Sequence, residues 1–78
     1  MSGEITIAVR LFGSFAREYG DSRKVALPAS ATALDLIHVL GVEERLVSLC
    51  LVNNAQVRTN HALQDGDSVM IVPAVIGG

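Results

Sequence analysis

Bulky apolar residues recur at every second position from Glu4 to Leu11. Ile5, Ile7, Val9 and Leu11 share one face and Thr6, Ala8 and Arg10 the other, the pattern of a half-buried strand. The stretch from Phe12 to Gly20 breaks that period and closes on Gly20-Asp21-Ser22, a turn composition. Arg23 to Leu27 reads as a second strand, with Val25 and Leu27 inward and Pro28 ending it. The period then changes. Ala33, Leu36, Ile37 and Leu40 fall within about 100° of one another at helical spacing, with Leu34 and Val39 flanking and Asp35 and His38 opposite. Thr32 is the expected N-cap, Asp35 three residues on completes a capping-box pattern, and Gly41 suits the position just past the last turn. About eight residues cannot hold a helix alone, so this one must pack across a sheet.

Leu46 to Val52 is apolar apart from Ser48, as expected of a strand covered on both sides. Asn53-Asn54 tolerates the left-handed backbone of a hairpin turn, and Gln56-Val57-Arg58 is the short returning strand. A polar loop from Thr59 to Asp67 follows, anchored by Leu63 and closed by Asp65-Gly66-Asp67. Ser68 to Val72 is the last strand, and Pro73, with no amide donor, ends its pairing. The elements predict one α+β domain over residues 1–78: a mixed four- to five-stranded sheet, with one main helix packed on one face. The other face must be polar or claimed by a partner. Residues 73–78 are expected to form a flexible tail.

Composition narrows the function. Seventy-eight residues allow one small core, and half of them are hydrophobic. Six basic residues against eight acidic ones give a net charge of −2, with no basic patch or aromatic platform, which argues against nucleic acid as a partner. No apolar run approaches membrane-spanning length and no signal-peptide pattern opens the chain, so the expectation is a soluble cytoplasmic protein without a membrane partner. Cys50 is the single cysteine, which excludes an internal disulfide; inside an apolar strand it reads as a buried structural thiol. His38 and His61 have no third ligand at metal spacing, and no metal site is expected. Ser14 has neither a nucleophile elbow nor an indicated base around it, Asp65 and Asp67 read as turn residues, and Arg17-Glu18 as a solvated pair open to a partner contact. Nothing here forms an independent catalytic constellation.

What remains is Val72-Pro73-Ala74-Val75-Ile76-Gly77-Gly78. Pro73 biases the chain toward extended backbone. Gly77 and Gly78 have no side chain, and glycine is used where another backbone must approach closely. The expected role is a thin segment threaded into another protein's active site, with the Gly78 carboxylate as the reacting group and Val72, Pro73, Ala74, Val75 and Ile76 contacting the partner.

Three stretches in order carry a resemblance: Val9 to Gly20, Leu63-Gln64-Asp65-Gly66-Asp67, and Val72 to Gly78. Together they resemble the MoaD/ThiS sulfur carriers, closest in pattern to the small subunit of molybdopterin synthase. Relatives' tails often read Phe-Pro-Pro-Val before a small residue and the glycines; here Val72, Ala74 and Ile76 depart from that. The resemblance implies a ubiquitin-like β-grasp that is not itself an enzyme and binds no cofactor of its own. A separate adenylyltransferase of the ubiquitin-activating type would use ATP and magnesium to adenylate Gly78. A sulfur donor such as a cysteine desulfurase would then supply the sulfur of a thiocarboxylate. The large subunit of molybdopterin synthase, or another sulfur-accepting synthase, would receive it. A carrier for thiamine or another sulfur-containing metabolite, or a protein modifier conjugated through Gly78, uses the same tail.

Overall fold

The structure, a computed structural model, describes residues 3–74. In chain order it contains β1 (Glu4–Leu11), α1 (Gly13–Tyr19), β2 (Ser22–Pro28), α2 (Ala33–Leu40), one 3-10 turn (Glu44–Leu46), β3 (Val47–Val52), β4 (Ala55–Val57) and β5 (Ser68–Pro73). The five strands form one mixed sheet in the order β2-β1-β5-β3-β4. β1 and β5 run parallel at its centre, with Ala8 opposite Ser68 and Leu11 opposite Ile71; the β1–β2, β3–β5 and β3–β4 pairs are antiparallel.

The alternation in β1 is realised residue for residue, with Ile5, Ile7, Val9 and Leu11 buried. Val25 and Leu27 of β2, Cys50 and Val52 of β3, and Val69 and Ile71 of β5 join them on the inner face. α2 lies across that face and buries Ala33, Leu36, Ile37 and Leu40. Its ends are closed as the sequence indicates. The Asp35 amide donates to Thr32 Oγ1 at 3.3 Å and the Thr32 amide to Asp35 Oδ2 at 2.9 Å. Gly41 takes φ 80°, and its amide donates to the carbonyls of Ile37 and His38. Asn53 and Asn54 have φ of 52° and 73°, the two positive angles of a tight hairpin turn between β3 and β4.

Four stretches differ from what the sequence predicts. Residues 13–19 are a helix, although Phe12 supplies no side-chain cap and the first turn has no acidic residue. The helix exists because Phe15, four residues before Tyr19, is buried and meets that ring edge-on at 6.2 Å. β3 begins at Val47 rather than Leu46 and is covered on one face only: Cys50 and Val52 are buried, while Leu49 and Leu51 are half-buried on the other side. Its apolar run reflects two different environments rather than burial on both faces. β4 starts at Ala55, one residue earlier than expected, because two turn residues suffice. β5 includes Pro73, which lies opposite Val47 and is the last strand position.

Asp67 is the one buried charged group among the described residues, 9% exposed. Its carboxylate accepts from Asn53 Nδ2 at 3.0 Å and from the Gln64 amide at 2.9 Å, while Asn53 Oδ1 accepts from the Ser68 amide at 3.0 Å. The network ties the β3–β4 turn to the start of β5 and offsets the cost of burying the charge. Leu36→Ala, in the core, should destabilise the fold by about 3 kcal/mol, and Val39→Ala, on the exposed side of α2, by less than about 0.5 kcal/mol, as measured by urea unfolding.

Candidate functional site

The site lies where β5 hands over to the tail. β5 is central, so its last residues emerge between two neighbours rather than at a free edge. Val72 sits opposite Leu49 and Pro73 opposite Val47; Ser48, between them, is bulged out of register. One residue further, the Ala74 amide donates to the Leu46 carbonyl at 2.8 Å. On the other side, α1 begins at Gly13 with φ 57°, and a Cβ there would stand 3.3 Å from Pro73 Cγ. Val72, Pro73 and Ala74 are all half-buried. The remaining expected site residues, Val75, Ile76, Gly77 and Gly78, lie outside the described residues.

The sheet face away from α2 adjoins this handover. Leu49 and Leu51 of β3 lie beside Val72 and Met70 of β5, all four half-buried, and Arg10 of β1 stands next to Met70. Lys24 of β2 is opposite Ala8 on the same face. The Arg10 guanidinium carbon lies 5.7 Å from the centre of the Phe12 ring, which is 38% exposed. The face thus has an apolar half on β3 and β5 and a polar half on β1 and β2 that carries Arg10 and Lys24 together with Glu4. Of these residues the sequence marks only Val72 as a site residue. Arg10 and Ala8 are legible as outward positions of an alternating strand, whereas Leu49 and Leu51 sit in a run that reads as buried on both faces, and which strands adjoin is not legible.

The other candidates resolve simply. Asp65 Oδ1 accepts from the Thr6 amide at 2.7 Å, so both carboxylates around Gly66 are occupied in holding the turn. His38 and His61 are exposed on α2 and in the long loop, and Ser14 and the pair Arg17-Glu18 are exposed on α1. Among the described residues, no three His, Cys, Asp or Glu side chains gather as a metal site would require. No described helix is long and apolar enough to cross a membrane. Cys50 is buried, and desolvation pushes its thiol pKa up.

A two-layer sheet with a parallel central pair, one main helix across one face and a tail leaving the middle strand defines the ubiquitin-like β-grasp class. The ThiS family model matches residues 9–78, and the chain belongs to that family of ubiquitin-like sulfur carriers. Its structure is similar to the HVO 2177 protein of Haloferax volcanii, with a TM-score of 0.81 and 27% identity over 97% of this chain and 89% of that one. A putative molybdopterin converting factor subunit 1 from Pyrococcus furiosus gives 0.77 and 26%, over 91% of this chain and 99% of that one. The complex of molybdopterin-converting factor subunits 1 and 2 from Helicobacter pylori gives 0.63 and 21%, over 95% and 100%. No curated protein sequence matches the chain.

A buried thiol with a raised pKa should not react in the folded state. Cys50 is expected to resist alkylation by iodoacetamide at pH 8 and to react fully in denaturant, as read by intact mass.

Proposed function

We propose that this chain carries sulfur on the carboxyl group of Gly78 for molybdopterin synthesis. The observation that carries the reading is that the ThiS family match runs through Gly77 and Gly78, directly downstream of the central strand β5. A carboxylate is a poor electrophile until one oxygen becomes a good leaving group. Attack of the Gly78 carboxylate on the α-phosphorus of ATP, in a magnesium-dependent adenylating partner, would release pyrophosphate and form an acyl adenylate. A persulfide sulfur from a cysteine desulfurase would then displace AMP, and a thiol would cleave the acyl disulfide to leave the thiocarboxylate. The adenylate must be shielded from water, which favours a narrow site that residues without Cβ atoms can enter.

The open sheet face supplies the grip. Leu49, Leu51, Met70 and Val72 suit an apolar patch on the adenylating partner, and Arg10 and Lys24 suit carboxylates beside it. The sulfur-charged chain would next meet a large synthase subunit, a pairing supported by the similar fold seen in the Helicobacter pylori two-subunit complex.

Removal of Gly78 should leave the unfolding transition unchanged and abolish ATP-dependent activation. The intact chain, incubated with its activating partner, ATP and a persulfide source, should gain the mass difference of one oxygen exchanged for sulfur. No gain with a partner of demonstrated activity would overturn the reading, and Gly-Gly remnants on lysines of other proteins would point to a protein modifier instead. Leu51→Asp, on the open face, should raise the KM for the carrier in partner-dependent ATP–pyrophosphate exchange at least tenfold while the folded chain keeps its circular dichroism spectrum, since a buried unpaired carboxylate costs several kcal/mol at an interface.

A further inference from the structure

The root of the tail is held at two points that belong to neither the sheet nor the tail itself. From one side, α1 starts at Gly13, where an added Cβ would come 3.3 Å from Pro73 Cγ and 3.9 Å from Cδ. The absence of a side chain there is what lets the helix start approach the proline ring. From the other side, the 3-10 turn presents the Leu46 carbonyl to the Ala74 amide at 2.8 Å. That turn is itself closed by the Leu46 amide donating to the Glu43 carbonyl at 3.0 Å and the Val47 amide to the Glu44 carbonyl. The bulge at Ser48 completes the arrangement, because it sets Val47 opposite Pro73 and so brings Leu46 level with Ala74. Neither contact is needed to complete the sheet. Pairing between β3 and β5 ends at Val47 and Pro73, and the Leu46–Ala74 bond lies one residue beyond it.

We propose that Gly13 and Leu46 are positioning residues: the close approach of Gly13 to Pro73, which leaves no room for a Cβ, and the bond from Ala74 to Leu46 form a clamp that aims the chain leaving β5, and with it Gly78, at the activating partner's site. The inference rests on the reading of Gly78 as the reacting group. Gly78 is four residues past Ala74, a span of at most about 14 Å, so the direction in which the root points governs where the carboxylate can reach. A root aimed in the free protein does not have to be ordered on binding, which lowers the cost of association.

Gly13→Ala tests the clamp, with Gly41→Ala as its control. Both positions have positive φ and strain an alanine, but a Cβ at Gly41 meets nothing within 4 Å. Two readouts are taken on the full-length chain: hydrogen exchange of the Ala74 amide by NMR, and KM and kcat of the carrier in partner-dependent ATP–pyrophosphate exchange. In wild type and Gly41→Ala the Ala74 amide should be protected. In Gly13→Ala it should exchange several-fold faster and KM should rise about fivefold with kcat held, the worth of one ordinary hydrogen bond. In a Pro73→Ala background, which removes the ring atoms, Gly13→Ala should add little to either readout. The proposal fails if the wild-type Ala74 amide exchanges as fast as in an unstructured peptide, or if Gly41→Ala raises KM as much as Gly13→Ala. A wild-type chain that supports no pyrophosphate exchange with an active partner refutes the sulfur-carrier reading instead, and amide exchange still decides whether the clamp exists.

Discussion

The parallel pairing of β1 with β5 is the constraint on which the rest depends. It joins residues about sixty positions apart, Ala8 to Ser68 and Leu11 to Ile71, so everything between must leave the sheet centre and return to it. β1 is flanked by β2, and β5 is flanked by β3, which puts both strands of the pair in the interior of the sheet. Loop closure over such a span is entropically unfavourable, and burial of Ile7, Val9, Val69 and Ile71 on the shared inner face is what offsets it. One consequence is functional. The chain leaves from the middle of the sheet, where neighbours on both sides can direct it.

Those neighbours are α1 and the 3-10 turn, the two weakest elements by any local measure. Seven helical residues without a side-chain cap, and three residues of 3-10 turn, have no stability of their own. They hold because Phe15 is buried and because Tyr19 and Leu46 pack against the same core. The core therefore does two jobs. It stabilises the sheet, and it fixes the short segments that meet Pro73 and Ala74.

The sheet is asymmetric across its faces. The inner face is closed by α2 and filled with branched aliphatic side chains, while the outer face is left half-apolar and half-polar. An apolar patch with Arg10 beside it, adjoining Pro73 and Ala74, is the arrangement expected of a body that must be recognised while its extremity is being worked on. Nothing inside this domain needs Leu49, Leu51, Met70 or Val72 to be large; Ala8 occupies an equivalent outward position on β1.

Much of this was legible in the residues alone, where the local signal had a local cause. The alternation of β1 needs only one wet and one dry face, the ends of α2 need only Thr32, Asp35 and Gly41, and the hairpin needs only two asparagines that accept positive φ. The three stretches Val9 to Gly20, Leu63 to Asp67 and Val72 to Gly78 likewise carry the resemblance to the sulfur carriers in their residues alone. Three things were not legible, each because the cause lies elsewhere in the chain. Residues 13–19 carry no capping signal and become helical only where Phe15 finds the core. The apolar run of β3 reads as burial on both faces, because a sequence does not distinguish a side chain facing a core from one facing an open, sticky surface. The handover at Pro73 depends on Gly13 and Leu46, sixty and twenty-seven positions away, and contacts at that separation are set by strand order, which only the tertiary structure decides.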